Sequence, residues 1–239
     1  MNIALVGYGT MGKIVEEVVS EENKCFVVGK YFSSLFDIKE HIDCVIDFSS
    51  PSLLDMIVSY ASLHKTPCVI GTTGHSFNQE KKIEELSKKV PLIKSANFCL
   101  GITLVNKLLK DIVPYLSNCF DIEIKEIHHN KKLDAPSGTA CMFLDTINKN
   151  LNYKVNYGRK GEVKRDKKEI GIHSLRGGSV VGEHEIYFLG EDEVISIKHQ
   201  ALSKKIFALG AYKASLFIVN KKKGLYSMED VLFKEKNSD

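Results

Sequence analysis

Long apolar runs are missing from this chain of 239 residues. None approaches the roughly 20 consecutive apolar residues that a membrane helix needs, so no membrane partner is expected. Charge of one sign is scarce too. The formal net charge is +3, too small a bias to imply nucleic acid. The start Met1-Asn2-Ile3-Ala4-Leu5-Val6-Gly7 has no basic n-region, and its apolar stretch is too short for a signal peptide. Paired cysteines are absent. Cys25, Cys44, Cys68, Cys99, Cys119 and Cys141 are scattered with no C-x-x-C spacing, which fits reduced thiols in a cytoplasmic protein. There is no internal repeat. What remains is an ordinary globular composition, 44% hydrophobic and 26% charged, long enough for one large domain or two modest ones.

The first half alternates short apolar strands with amphipathic helices. Strands are expected at Ile3–Val6, Cys25–Gly29, Cys44–Asp47, Pro67–Ile70 and Pro91–Lys94, brief runs suited to burial on both faces. Met11, Ile14, Val15, Val18 and Val19 recur at helical spacing and make one apolar face. Leu53, Ile57 and Ala61 do the same after Ser49-Ser50-Pro51, a cap with proline near the first turn. Such alternation implies a parallel sheet with helices on both sides. After about residue 97 the pattern changes. A helix is expected over Leu100–Leu116, with Pro114 in its last turn, and another over Thr139–Asn150. Asp121–Ile127 alternates as a half-buried strand, and 152–169, rich in glycine and charge, reads as a solvated loop. Strands follow at Gly171–Leu175, Glu183–Leu189 and Glu193–His199, then a helix at Ile206–Val219 and a frayed tail from Lys234. Ile186 and Phe188 oppose Tyr187 and Leu189. A sheet apolar on both faces needs two covers, and a second subunit is expected to supply one.

Two motifs carry chemistry. Gly7-Tyr8-Gly9-Thr10-Met11-Gly12 follows a strand and opens a helix, the setting in which G-x-G-x-x-G binds a dinucleotide. The first glycine allows a tight turn, the second admits a pyrophosphate, and the third lets helix pack on strand. The helix N-terminus adds N–H groups and a favourable dipole. An acid about 20 residues later would grip the ribose of NAD. Lys30 stands in that region instead and would suit the 2′-phosphate of NADP, which leans the expectation to NADPH. Asp47-Phe48-Ser49-Ser50-Pro51 and Gly71-Thr72-Thr73-Gly74 follow later strands, where open α/β sheets bind ligands.

The second motif is Glu126-Ile127-His128-His129-Asn130-Lys131-Lys132-Leu133-Asp134-Ala135-Pro136-Ser137-Gly138-Thr139-Ala140. It leaves a strand, carries histidines and lysines, and turns into a helix. Hydroxyls and N–H groups at Ser137, Gly138 and Thr139 would cradle a carboxylate. Histidine and lysine nearby supply transferable protons. The chemistry implied is a small anion protonated as it is reduced. No Asp, Glu or Cys stands at a helpful ligand spacing, so no metal is expected.

This stretch resembles the E-x-H-H-x-x-K-x-D-A-P-S-G-T-A signature of the dihydrodipicolinate reductase family. The resemblance extends through the glycine turn, Asp47-Phe48-Ser49, Gly71-Thr72-Thr73-Gly74, Ala96-Asn97-Phe98, Arg176-Gly177-Gly178, Val181-Gly182-Glu183-His184 and Phe207-Ala208 with Gly210-Ala211. It implies an α/β chain: an N-terminal Rossmann-type parallel sheet domain, residues 1–97 and 204–239, that binds the dinucleotide, and an α+β substrate and oligomerisation domain, residues 98–203, with a mixed or antiparallel sheet. It implies NADPH or NADH as cofactor and a small cyclic dicarboxylate as substrate, reduced from dihydrodipicolinate to tetrahydrodipicolinate in diaminopimelate and lysine synthesis. It also implies a homotetramer. By position, His128 and Lys132 match the acid–base and proton-donor residues, and His129 a substrate contact. Ser137, Gly138 and Thr139 match the carboxylate cradle. Gly71, Thr72, Thr73, Ala96, Asn97, Phe98 and Cys99 match cofactor contacts beside the glycine turn. This chain departs at Thr10, where many members carry arginine, at Cys99 for serine, at Leu209 for asparagine and at Lys204 for arginine. Apart from the resemblance, the residues leave open another NAD(P)-dependent oxidoreductase of a small dicarboxylate or amino acid, or a non-catalytic NAD(P)-binding sensor.

Overall fold

The computed structural model describes residues 1–22, 25–29 and 34–233. Lys30, expected at a cofactor phosphate, and the tail from Lys234 lie outside the described residues. In chain order the elements are β1 (Asn2–Val6), α1 (Thr10–Glu21), β2 (Phe26–Gly29), β3 (Cys44–Asp47), α2 (Leu54–His64), β4 (Cys68–Ile70), α3 (Phe77–Ser87), β5 (Pro91–Lys94), α4 (Leu100–Leu116), β6 (Asp121–His128), α5 (Gly138–Asn148), β7 (Lys154–Tyr157), β8 (Glu169–Arg176), β9 (Gly182–Leu189), β10 (Val194–Ala201), α6 (Lys205–Ile218), β11 (Gly224–Tyr226) and α7 (Met228–Phe233). They divide into two compact units. Met1–Leu100 and the chain from Lys204 form one, and Gly101–Ser203 form the other.

The first unit holds a parallel sheet in the order β11-β5-β4-β3-β1-β2. Alternation along each strand feeds two cores. Ile3, Leu5, Cys44 and Ile46 pack with α1 and α6 residues such as Val15, Ala211 and Phe217. Ala4, Val6, Val45 and Ile70 pack with Ile57, Tyr60, Ile83 and Leu86 of α2 and α3. Period-2 strands between period-3.6 helices can satisfy both faces only this way. Each buried Ile, Leu or Val contributes about 1.5–3 kcal/mol. Helix α3 starts with a capping box, Ser76 accepting from the Gln79 N–H and Gln79 accepting from the Ser76 N–H at 2.9 Å. Because β1 pairs with β2 on one side and β3 on the other, the topology switches at β1. The crevice outside the carboxyl ends of such strands is where these sheets bind ligands.

The second unit holds a mixed sheet in the order β10-β9-β6-β8-β7. β6 runs parallel to β8 and antiparallel to β9. The even-numbered face of β6 buries Ile122, Ile124, Glu126 and His128, and α5 packs on this strand. Three expectations need correction. The segment 152–169 is not all loop: Lys154–Tyr157 forms β7, pairing in parallel with β8, which itself begins at Glu169. A polar edge strand lacks the apolar alternation that marks buried ones, so pattern alone misses it. The far face of the sheet is not apolar. Tyr187 and Leu189 share it with ion pairs, Lys125 Nζ to Glu185 Oε2 at 2.8 Å and Lys198 Nζ to Glu183 Oε1 at 3.0 Å. Finally, the helix expected at Ile206–Val219 is not the last element: β11 and α7 follow it. β11 extends the parallel sheet beside β5.

Candidate active site

In the first unit the carboxyl ends of β1, β3, β4 and β5 meet around Phe48. Gly7 has φ +87°, and a Cβ there would lie 2.4 Å from the Phe48 carbonyl oxygen. A Cβ on Gly71 would overlap the Phe48 ring at 2.3 Å. That ring packs edge-on to Phe98 at 5.7 Å between centroids. A Cβ on Gly12 would strike the Gly7 carbonyl at 2.1 Å, which is the close helix–strand packing expected of a third glycine. Gly9 differs. It is the exposed N-cap of α1, makes no side-chain cap, and has no atom within 4 Å of a notional Cβ. Thr10 is also exposed, and Tyr8 and Met11 are half-buried.

The neighbouring loops are tied down. Asp47 Oδ1 accepts from the Ser49 N–H at 3.0 Å, and the Ser49 N–H also reaches Thr72 Oγ1 at 2.8 Å. Burial pushes the Asp47 carboxyl above its usual range, while hydrogen bonds from Ser49 and Thr72 hold it back. Thr72 is therefore buried and engaged, whereas Thr73 is exposed. In the third loop Ala96 is exposed and Asn97 half-buried, but the side chains of Phe98 and Cys99 enter the core. Asn97 Oδ1 accepts from the Cys99 N–H at 2.8 Å.

The fit to a dinucleotide can be tested on these observations. An uncapped helix start with an open Gly9 leaves room for a pyrophosphate at its N–H groups. His75, in the loop after β4, buries both ring nitrogens without a hydrogen-bond partner among the described residues. Such orphaned groups cost about 1–3 kcal/mol each unless a ligand or water answers them. No local pattern in the sequence marks His75.

In the second unit the site is built on the even face of β6. Glu126 has no exposed surface. Its Oε2 lies 2.5 Å from His128 Nδ1, and the Arg176 guanidinium grips both oxygens at 2.9 and 2.7 Å. The Ser137 N–H donates to Oε1 at 3.2 Å. Burial opposes ionisation of Glu126, yet hydrogen bonds from His128, Arg176 and Ser174 outweigh it and hold the carboxyl far below the usual range. Arg176 also donates to the Asp134 carbonyl at 2.7 Å. Lys132 Nζ pairs with Asp134 Oδ1 at 2.8 Å, which draws the Asp134 carboxyl downward. The loop after β6 is fastened to the turn after β8, the Gly177 N–H donating to the His128 carbonyl at 2.9 Å and the Asn130 N–H to the Gly178 carbonyl at 3.2 Å. His129 buries Nδ1 without a hydrogen-bond partner among the described residues.

Ser137 is the N-cap of α5. Its hydroxyl accepts from the Ala140 N–H at 3.2 Å and lies 2.8 Å from His184 Nε2. At 2% exposure this hydroxyl is spent on the fold, so its contribution is to shape the helix start. Gly138 is exposed with nothing within 4 Å of a notional Cβ, and Thr139 is half-buried. His184 is pushed down to about 4 by burial first and by the neighbouring His128 second, so near pH 7 it is neutral and shares one hydrogen bond with the Ser137 hydroxyl. Its ring meets His128 edge-on at 5.1 Å. Arg176 and His184 were visible in the sequence only within the family resemblance. Among the described residues, no group of three or more His, Cys, Asp or Glu side chains is placed to hold a metal ion.

Residues 1–98 match the family model for the dihydrodipicolinate reductase N-terminus, and residues 101–232 match the one for its C-terminus. The chain is 46% identical over 243 residues to the 4-hydroxy-tetrahydrodipicolinate reductase of Clostridium novyi, covering 96% of both proteins. It is 46% identical over 234 residues to that of Brachyspira hyodysenteriae, covering 97% of this chain and 100% of the relative. Among solved structures, a dipicolinate-bound dihydrodipicolinate reductase from Paenisporosarcina sp. TG-14 superposes with a TM-score of 0.77 at 23% identity, over 95% of this chain and 97% of that one. Fold, site and relatives define an NAD(P)H-dependent oxidoreductase. The chain belongs to the dihydrodipicolinate reductase family.

Proposed function

We propose that this chain reduces 4-hydroxy-tetrahydrodipicolinate, or the dihydrodipicolinate formed from it by loss of water, to tetrahydrodipicolinate in diaminopimelate and lysine biosynthesis. The observation that carries the reading is one linked set of groups in the second unit, in which Lys132, Asp134, Arg176, Glu126 and His128 join in sequence by hydrogen bonds and ion pairs. NADPH or NADH would be held by the Gly7–Met11 turn with Gly71–Thr73 and Ala96–Cys99 and would supply the hydride when bound. The turn's open Gly9 would leave room for the pyrophosphate, with NADPH the preferred cofactor.

The remaining chemistry belongs to the protein. Adding a hydride leaves electron density on the ring that one proton must quench. Lys132, oriented by its ion pair with Asp134, donates that proton, and His128 assists as acid–base partner. His129 and the exposed start of α5 at Gly138 and Thr139 bind the substrate carboxylates. Positive charge around the ring stabilises the transition state most, since that is where negative charge grows. The enzyme works in the cytoplasm as a homotetramer. β10 supports that assembly: it is an eight-residue edge strand with Val194 62% and Ile195 37% exposed, a row of backbone groups that needs a cover.

The test of the site is Lys132→Ala. Turnover falls by about 10²–10⁴-fold, the range expected of general acid catalysis, while NADPH affinity measured by fluorescence titration stays unchanged. An unaltered kcat removes Lys132 from its role.

A further inference from the structure

Glu126 is more than a partner for one histidine. It is a charged group with no exposed surface, and it collects donors from separate parts of the unit: His128 on its own strand at 2.5 Å, Arg176 at the end of β8 at 2.7 and 2.9 Å, and the Ser137 N–H at the start of α5 at 3.2 Å. An ionised carboxylate only accepts hydrogen bonds. His128 must therefore carry its first proton on Nδ1, which leaves Nε2 as the one atom that can take or give a proton. Gly182 keeps that atom clear, since a Cβ there would stand 3.0 Å from Nε2.

We propose that Glu126, clamped by Arg176, is a positioning residue with two outputs: it sets the tautomer and orientation of His128, and through the Ser137 amide it fixes the anion-binding start of α5 relative to that imidazole. This rests on the acid–base role given to His128 above. Glu126 stays an ion throughout and takes no proton from His128. The Arg176 fork makes the arrangement rigid, because a bidentate guanidinium fixes the carboxylate plane as well as its charge. Besides Glu126, the titratable group facing His128 is His184 from β9, on which Lys132 and His199 of β10 also act.

The first test reads the wild-type protein. With ¹⁵N-labelled histidine and His128→Asn for assignment, neutral His128 shows the Nδ1–H tautomer. The Nε2–H tautomer overturns the proposal. This readout needs no turnover, so it stands apart from the assigned reaction, which fails if wild-type enzyme reduces no cyclic dicarboxylate. The second test is Glu126→Gln. We expect kcat to fall about 100-fold, KM for the dicarboxylate to rise, and NADPH affinity to hold. Glu126→Asp keeps the charge and so restores part of the activity. Unchanged kcat in Glu126→Gln, or no rescue by Glu126→Asp, overturns the proposal, and if the Gln variant does not fold, the tautomer decides it.

Discussion

His184 should make the second unit acid-sensitive by a predictable amount. Its imidazole is pushed down to about 4, chiefly by burial, against about 6.5 in an unfolded chain. The folded state therefore resists the proton that the unfolded state accepts as pH falls through 6.5. Stability is fully present above that point and drains away down to about pH 4. Linkage between these two values gives a loss of about 2 kcal/mol from pH 7 to pH 5 and about 3 kcal/mol by pH 4. His184→Gln removes the titrating group while its amide can still hydrogen-bond to Ser137. His199, also lowered by burial, and Glu126, held low by its donors, act in the same direction and are common to both proteins. The difference between the two pH dependences isolates His184. Urea unfolding followed by circular dichroism near pH 7 and pH 5 measures it. Parallel losses in wild type and variant would refute the claim that His184 is buried as a neutral imidazole.

The glycine turn separates structural from binding roles. Gly7→Ala places a Cβ 2.4 Å from a backbone oxygen at φ +87°, so thermal melts should show a loss of several kcal/mol or no folded protein. Gly9→Ala meets open space and should melt within about 0.5 kcal/mol of wild type, yet bind NADPH about tenfold or more weakly, because the methyl enters the space left for the pyrophosphate. If Gly9→Ala binds normally, that space is not the phosphate site. At the edge strand, Ile195→Lys should lower the mass seen by light scattering from that of the proposed tetramer to a smaller species without altering the circular dichroism spectrum, and an unchanged mass removes β10 from the interface.

What could be read from the sequence follows from how local each signal is. The parallel strands stand out because both their faces are buried, and the glycine turn because three glycines meet three separate steric demands within one turn. Glu126 and His128 sit two apart on a strand, so their shared face is legible. Their partners are not: Arg176 and His184 reach them only through the register of β6 with β8 and β9, which no window along the chain contains. Ser137 shows both sides of this. Its place as a helix cap is local and clear, but the bond to His184 that occupies its hydroxyl spans 47 positions, and so it looked available to a ligand. β7 escaped because an edge strand need not alternate, and β11 because three residues after the lysine run 221–223 carry no period.

The central claim is a hydride delivered from NAD(P)H to a cyclic dicarboxylate. The direct measurement couples the enzyme to a synthase that forms the substrate in place from pyruvate and aspartate semialdehyde, and follows the loss of nicotinamide absorbance with NADPH and with NADH. Oxidation that depends on the synthase product, faster with NADPH and abolished by Lys132→Ala, is the predicted result. Folded protein that binds the cofactor and oxidises none of it with that product present contradicts the account.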